Sequence, residues 1–172
     1  MTGLREVIII GGGLAGLSAA LYLGRSRRDT LLIHSGRSMA KWEGNVQNYL
    51  GFPDGIDGTD LLTRGHAQVA RFHVEIIEDE VRTLTKDEDT FHLQCQQANY
   101  YAKRVLIATG LTHLPPDIPG VKDCLGKSLF FCKDCDAYRV QGKRVVIIGR
   151  NLAYPVACQF YQATDVWEHH DT

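Results

Sequence analysis

Residues 7–24 read VIIIGGGLAGLSAALYLG and contain no charged side chain. The apolar, β-branched run at 7–10 is typical of a parallel strand that is buried on both faces. Three consecutive glycines at 11–13 would weaken a continuous helix, whereas residues 14–23 suit a buried one. The stretch therefore predicts a strand, a glycine turn and a helix, and a second strand follows at 30–34.

The same stretch has an alternative interpretation, because roughly 18 apolar residues is the lower bound for a membrane helix. An export signal or a membrane anchor would then occupy this part of the chain. The glycines favour the strand, turn and helix instead, so we expect no membrane association and a cytoplasmic location.

The glycines have the spacing Gly11-x-Gly13-x-x-Gly16, between a strand and a helix. Gly11 permits a tight turn, Gly13 lets the backbone approach a pyrophosphate, and Gly16 lets the helix pack closely on the strand. The pattern predicts a dinucleotide site, with a glycine-rich packing turn as the alternative. The acid expected about 20 residues further on, for the ribose hydroxyls, is replaced by His34, whose imidazole can also bond a hydroxyl.

Composition limits the remaining possibilities. The chain has 172 residues, 44% of them hydrophobic, which suits a globular protein and excludes disorder as its main state. Nineteen basic and 20 acidic residues leave no basic excess for binding nucleic acid or an anionic membrane. The acidic residues at 75, 78–80 and 87–89 are interpreted as a solvated face.

The pattern changes after the second strand. A loop at 35–58, rich in Gly, Ser, Asn and Asp, precedes a helix from Thr59 to about Phe72. Residues 74–107 alternate like strands and predict a small antiparallel meander that returns to a buried strand at 105–108. The proline-rich HLPPDIPG at 113–120 is a natural linker. Beyond it the sequence predicts a second buried strand at 145–148, a short helical stretch and a strand at 165–167.

Five cysteines stand at positions 95, 124, 132, 135 and 158. Cys132 and Cys135 form a Cys-x-x-Cys that is followed by Asp136. Thiols at this spacing can form a redox disulfide, and a neighbouring carboxyl can act as a general acid or base. Half of a zinc site and incidental cysteines are the alternatives, although no suitably spaced second ligand pair follows. We therefore predict redox chemistry and no metal.

Together these segments resemble the thioredoxin reductase family of FAD-dependent disulfide reductases. The resemblance covers nearly the whole chain, and the order of its segments is more specific than any one of them. The matching segments are IIIGGGLAGLSAALYLGR at 8–25, NYLGFP at 48–53, VLIATG at 105–110, FFCKDCDAYR at 130–139 and KRVVIIG at 143–149.

The resemblance implies an α/β fold with two parts. A Rossmann-like FAD-binding domain, made of a parallel sheet plus a small antiparallel β meander, would occupy residues 1–112 without its C-terminal segment. The truncated start of a second Rossmann-like domain, for NAD(P), would occupy 113–172 and carry the Cys-x-x-Cys. We therefore expect this chain to be the N-terminal portion of such an enzyme.

The resemblance also implies a set of residues around FAD. The glycine turn would cradle the pyrophosphate, the segment after the second strand would surround the adenosine and phosphates, and two later segments would approach the adenine and the flavin. These residues are Gly11, Gly13, Ala15, Gly16, His34, Ser35, Gly36, Arg37, Trp42, Asn48, Val81, Thr109 and Gly110.

The implied reaction passes electrons from NADPH to FAD, then to Cys132 and Cys135, and finally to a substrate disulfide. Asp136 matches the acid that follows the cysteine pair in this family. The expected partners are a thioredoxin-like protein or a small disulfide or dithiol, and a second copy of the chain in a homodimer.

The sequence departs from the family pattern in its second nucleotide motif. After Gly149, Asn151 and Tyr154 stand where small residues are expected. This departure favours an alternative, an FAD-dependent dithiol oxidase that uses oxygen and no nicotinamide. A third interpretation is a non-catalytic FAD-binding remnant or a partner-dependent binding module.

Overall fold

The computed structural model describes residues 3–148 and 166–168. The chain divides into two compact units, Met1–Leu114 and Pro115–Thr172, which are described separately. In the first unit, strand β1 (Leu4–Ile10), helix α1 (Leu14–Arg25) and strand β2 (Thr30–His34) follow one another as predicted. The apolar stretch at 7–24 is therefore the end of a strand, a glycine turn and most of a 12-residue helix.

The first unit is built on a six-stranded sheet with the order β3-β2-β1-β6-β5-β4. Strands β3, β2, β1 and β6 run parallel to one another, while β4, β5 and β6 form an antiparallel meander. This mixed α/β sheet confirms the predicted fold class. The remaining strands are β3 (Glu75–Glu78), β4 (Val81–Asp87), β5 (Thr90–Cys95) and β6 (Asn99–Ile107).

The predicted meander was wrong at its first strand. Residues 75–78 do not join the antiparallel part but pair parallel with β2, with Ile77 opposite Ile33. Helix α2 (Gly58–Ala70) lies between β2 and β3 in the chain, and a crossover of this kind returns the chain to the sheet in the parallel direction. Strand β6 belongs to both parts, because it pairs with β5 on one side and with β1 on the other.

The core lies on both faces of β1. Ile9 packs with residues of α1, α2 and β2, whereas Ile8 packs with residues of β2, β5 and β6, and neither side chain has any exposed surface. Strand β2 is covered in the same way, with Leu32 on the helical face and Leu31 on the other. The uninterrupted β-branched run at 7–10 is thus explained by two covered faces.

The strand at 105–108 is less buried than predicted. Val105 and Ala108 pack against the two cores, but the side chains of Leu106 and Ile107 are 38% and 66% exposed. The apolar run predicted a strand that is covered on both faces, and the described part of the chain leaves this end of β6 open to solvent.

The second unit contains helix α3 (Lys133–Asp136), strand β7 (Val145–Ile147) and strand β8 (Val166–Glu168). The two strands pair in parallel, with Val146 opposite Trp167. The strand predicted at 145–148 is present, but it is not buried, since Val146 and Ile148 are 64% and 47% exposed. The helical stretch predicted after it, and residues 149, 151 and 154 of the second nucleotide motif, lie outside the described residues.

Among the helices of the described residues, none is long and apolar enough to cross a membrane.

Candidate functional site

A cavity of about 730 Å³ opens where the parallel strands of the first unit end. In open α/β sheets, ligands bind in the crevice outside the carboxyl ends of the strands. Five segments of the chain line this cavity, namely 10–15, 33–41, four residues of α2 between 59 and 66, 79–81 and 108–111.

The turn from β1 into α1 has no room for a side chain at Gly11. Gly11 has φ of +116°, a left-handed value that favours glycine, and a Cβ there would overlap the carbonyl of Ala108. Its N–H donates to the Ile33 carbonyl at 2.8 Å, while the Ala108 N–H donates to the Ile10 carbonyl at 2.8 Å. The turn is thereby held between the ends of β2 and β6.

Gly13 and Gly16 have different surroundings, although both belong to the same motif. A Cβ at Gly16 would overlap the Gly11 carbonyl, so Gly16 packs α1 behind the turn and does not line the cavity. A Cβ at Gly13 would lie 3.7 Å from Ser38 Oγ, which is an ordinary contact, and Gly13 does line the cavity. The chain therefore tolerates a side chain at Gly13, and the space there is open to a ligand.

The N-terminus of α1 is a suitable place for a phosphate group. The first four N–H groups of a helix have no partner within the helix, and no side chain caps those of α1. The first turn of α1 also has no acidic residue to repel an anion. Together with the open space at Gly13, these features fit the pyrophosphate of a dinucleotide.

His34 stands at the end of β2, where the fingerprint expects an acid. Its Nδ1 accepts a hydrogen bond from the N–H of Gly36 at 3.1 Å, so the neutral ring carries its proton on Nε2 and can donate it to a hydroxyl. The ring centroid of His34 lies 5.4 Å from that of His66, and both residues line the cavity. Burial, and then the nearby His66, lower the pKa of His34 below its ordinary value of 6.5, while Glu78 opposes this shift.

The segment after β2 is held by polar contacts. Gly36 has φ of +73°, and Lys41 Nζ donates to its carbonyl at 2.7 Å. Arg37 Nη2 bonds Glu80 Oε1 at 2.6 Å, and Glu80 also pairs with Arg82 at 3.2 Å. These contacts tie the segment to the β3–β4 connection, which also lines the cavity.

Asp79 does not belong to the solvated acidic face that the sequence predicted, because it is only 6% exposed. Its Oδ1 accepts from the N–H of Glu80 at 2.7 Å and from the N–H of Gln97 at 3.2 Å. These bonds satisfy the buried carboxylate and hold the connection that leads into Val81 at the cavity wall.

The structure brings together ten of the thirteen residues that were expected around FAD. Gly16 packs behind the turn, as described above, and two others are also absent from the wall of this cavity. Trp42 is 40% exposed on a short 3₁₀ turn, and Asn48 is exposed in the loop that follows. The ten lining residues are Gly11, Gly13, Ala15, His34, Ser35, Gly36, Arg37, Val81, Thr109 and Gly110.

Sequence reasoning missed the part of the cavity wall that α2 supplies. Thr59, Thr63 and His66 line the cavity, at a spacing that places them on one side of the helix. The sequence signal for this wall was the polar side of an amphipathic helix. That signal does not show whether the polar side faces solvent or a ligand.

In the second unit, Cys132 and Cys135 form a disulfide, with their Cα atoms 5.3 Å apart. The N–H of Cys135 donates to Cys132 Sγ at 3.2 Å, and the N–H of Asp136 donates to the Cys132 carbonyl at 3.1 Å. Both bonds lie at the start of the short helix α3, where the chain turns so that the two sulfur atoms can bond.

Two other cysteines among the described residues are free thiols. Burial, and then the charge of Asp79, raise the pKa of Cys95 to about 11, so this thiol stays protonated and unreactive near neutral pH. Cys124 is half-buried, and its thiol donates to the Gly120 carbonyl at 3.7 Å. Cys158 lies outside the described residues.

Comparison with known proteins defines the class to which this fold and site belong. The family model described as pyridine nucleotide-disulphide oxidoreductase matches residues 5–165. The chain belongs to the pyridine nucleotide-disulphide oxidoreductase family, and this membership implies the use of a flavin and a nicotinamide nucleotide.

Curated relatives of this chain include thioredoxin reductases. That of Treponema pallidum (strain Nichols) is 35% identical over 148 residues, which are 84% of this chain and 48% of the relative. That of Bacillus subtilis (strain 168) is 31% identical over 147 residues, 84% of this chain and 46% of the relative. The chain thus spans about half the length of the curated relatives it matches.

Two solved structures show the same correspondence. Thioredoxin reductase from Streptococcus pyogenes MGAS5005 has a TM-score of 0.91 at 27% identity, over 99% of this chain and 56% of that one. The crystal structure of HlmI has a TM-score of 0.88 at 33% identity, over 98% of this chain and 55% of that one.

The lowered pKa of His34 predicts a pH dependence of stability. The pKa of His34 is 6.5 in the unfolded chain and lower in the folded chain. Between these two values the unfolded chain binds a proton that the folded chain does not bind, so stability is lost as the pH falls below 6.5. We expect the urea midpoint of the first unit to fall from pH 7.5 to pH 5.5, and to fall less in His34→Asn, whose side-chain oxygen can still accept from Gly36. The exposed His73→Asn is the control, and equal pH slopes in all three chains would contradict the prediction.

Proposed function

We propose that this chain binds FAD in the cavity of the first unit and that its Cys132–Cys135 disulfide accepts electrons for transfer to a substrate disulfide. The observation that carries this proposal is the presence, in one chain of this family, of a glycine-lined cavity at a helix N-terminus and a Cys-x-x-Cys disulfide. We assign residues 1–112 to the FAD-binding domain and 113–172 to the NAD(P)-binding one.

The wall of the cavity fits the parts of FAD in turn. Gly13 and the uncapped N–H groups of α1 would hold the pyrophosphate, and the Nε2–H of His34 would bond a ribose hydroxyl. Ser35, Gly36, Arg37, Val81, Thr109 and Gly110 also line the cavity. In the proposed complex, Ser35, Gly36 and Arg37 would lie beside the adenosine and phosphates, Val81 would meet the adenine, and Thr109 and Gly110 would lie near the cofactor. Bound FAD would supply electron transfer between a nicotinamide nucleotide and the disulfide.

The cysteine pair supplies the second half of the reaction. Two electrons and two protons convert the Cys132–Cys135 disulfide to a dithiol. One thiolate then attacks the substrate disulfide and forms a mixed disulfide, and the other thiol releases the reduced substrate as the intramolecular bond forms again. Asp136 would exchange the protons. NADPH as the electron source, and a thioredoxin-like protein or a small disulfide as the substrate, complete the proposed path.

A dithiol oxidase is the second candidate, and the sequence after Gly149 favours it. In a glycine motif, Asn151 stands where the backbone must approach the phosphates of a nicotinamide nucleotide, and the bulky Tyr154 stands where a small residue lets the helix pack closely. Such an enzyme would take two electrons from a small dithiol through the cysteine pair and deliver them to oxygen. Under anaerobic conditions, bleaching of the flavin by NADPH supports the reductase, whereas bleaching by small dithiols alone supports the oxidase.

FAD binding is tested at Gly13. We expect the purified chain to carry a yellow flavin, and Gly13→Ala to weaken FAD binding by about tenfold or more, because the new methyl group occupies ligand space. Gly44→Ala, at an exposed site with no atom within 4 Å of the added Cβ, should bind like the wild type. Titration of flavin fluorescence measures both. A colourless chain, or equal affinity in the two variants, would contradict the proposed site.

The role of the cysteine pair is tested separately. Cys135→Ser removes one sulfur of the disulfide, so it should abolish disulfide turnover while the flavin spectrum persists. Cys124→Ser, which replaces a free thiol of the same unit, should leave turnover intact. Assays with a small aromatic disulfide and a chemical reductant of the flavin give the rates, and unchanged turnover in Cys135→Ser would refute the redox role.

A further inference from the structure

Arg139 makes contacts of different kinds near the cysteine pair. Its Nη1 lies 3.3 Å from Asp136 Oδ1, and its Nη2 donates to the Gly126 carbonyl at 3.1 Å. Its guanidinium carbon lies 4.4 Å from the ring centroid of Phe130. A planar guanidinium can make a fork of hydrogen bonds and stack on an aromatic face at the same time, and lysine cannot make this combination.

The partner of Arg139 is the carboxylate that directly follows Cys135. Asp136 is 8% exposed, and its side chain is 11% exposed in the pair with Arg139. A buried carboxylate is costly unless a cation or several donors accompany it. Arg139 supplies this cation, and its contacts with Gly126 and Phe130 fix where the cation lies.

We propose that Arg139 is a positioning residue for the dithiol chemistry, acting through Asp136. It holds the carboxylate in one place and offsets its negative charge, so that a thiolate can form next to it near neutral pH. This inference rests on the redox role proposed above for Cys132 and Cys135. It assigns to Arg139 a function that the Cys-x-x-Cys-Asp pattern does not contain.

The physical reason is the effect of neighbouring charges on a thiol. A carboxylate beside a thiol disfavours the thiolate, and a cation favours it. When the carboxylate is paired with a guanidinium, the two effects largely cancel at the sulfur atoms. Removal of the guanidinium alone leaves the carboxylate uncompensated, and the thiolate then forms only at higher pH.

The reactivity of the reduced cysteines measures this effect without FAD or NADPH. The chain is reduced, freed of reductant and treated with iodoacetamide from pH 5 to pH 9. Trypsin then releases residues 128–133 and 134–139 as separate peptides, each with one cysteine, so mass spectrometry gives a rate for each thiol. In Arg139→Met the second peptide extends to residue 143 and still holds one cysteine.

Arg139→Met keeps an apolar side chain on Phe130 but removes the charge. We expect the faster of the two thiols to be alkylated about tenfold more slowly at pH 7, with an unchanged plateau at high pH, because a shift of one pH unit changes the thiolate fraction tenfold. Arg139→Lys, which restores the charge without the fork, should recover most of the rate. The matched control is Arg144→Met, at an exposed arginine of the same unit, and it should match the wild type.

The route through Asp136 is tested in a second background. In Asp136→Asn there is no carboxylate to offset, so the further change Arg139→Met should not slow alkylation. Comparison of Asp136→Asn with the double variant also tests the proposal if Arg139→Met alone does not fold. An unchanged pH profile in Arg139→Met, or the same slowing in the Asp136→Asn background, would overturn the proposal.

The same experiment distinguishes this inference from the function on which it rests. A wild-type pair that cannot be reduced and alkylated would count against the redox role itself. A reactive pair whose rates are indifferent to Arg139 would count against the positioning role alone.

Discussion

The close approach of Gly11 to the carbonyl of Ala108 is the constraint on which the first unit depends. It brings the end of β1 against the end of β6, while the N–H of Gly11 bonds the end of β2. Three parallel strands therefore end at one place, and α1 begins there with its N–H groups facing the space they enclose. A side chain at Gly11 would separate these ends, and a side chain at Gly16 would lift α1 off the turn. The cavity is thus a consequence of backbone packing before any of its side chains act.

The charges around the cavity are arranged so that the chain's own groups are largely satisfied. Arg37 bonds Glu80, the buried Asp79 accepts from two backbone N–H groups, and His34 accepts from Gly36. The N-terminus of α1 differs, because no side chain caps it. An anion entering the cavity would therefore meet free N–H groups without first breaking an ion pair, which is the pre-organisation that a pyrophosphate site requires.

In each of the two units, the neighbours of an ionisable group control its charge. In the first, burial and a second imidazole keep His34 neutral and a hydrogen-bond donor. In the second, the guanidinium of Arg139 accompanies the buried carboxylate that follows the disulfide. At Cys95, burial and then the charge of Asp79 raise the pKa of the thiol, which keeps it protonated near neutral pH.

The elements whose signals are local could be predicted from the amino-acid sequence. The strand, glycine turn and helix at 7–24 have the predicted order because each depends on residues within one turn or a few strand positions. The tertiary structure alone decided which distant residues share the cavity. It placed β3 in the parallel sheet, buried Asp79 at the cavity wall, added Thr59, Thr63 and His66 from α2, and left Trp42 and Asn48 off the wall. Burial and contact across the sheet depend on strand order and on how helices cover each face, and no local pattern encodes these.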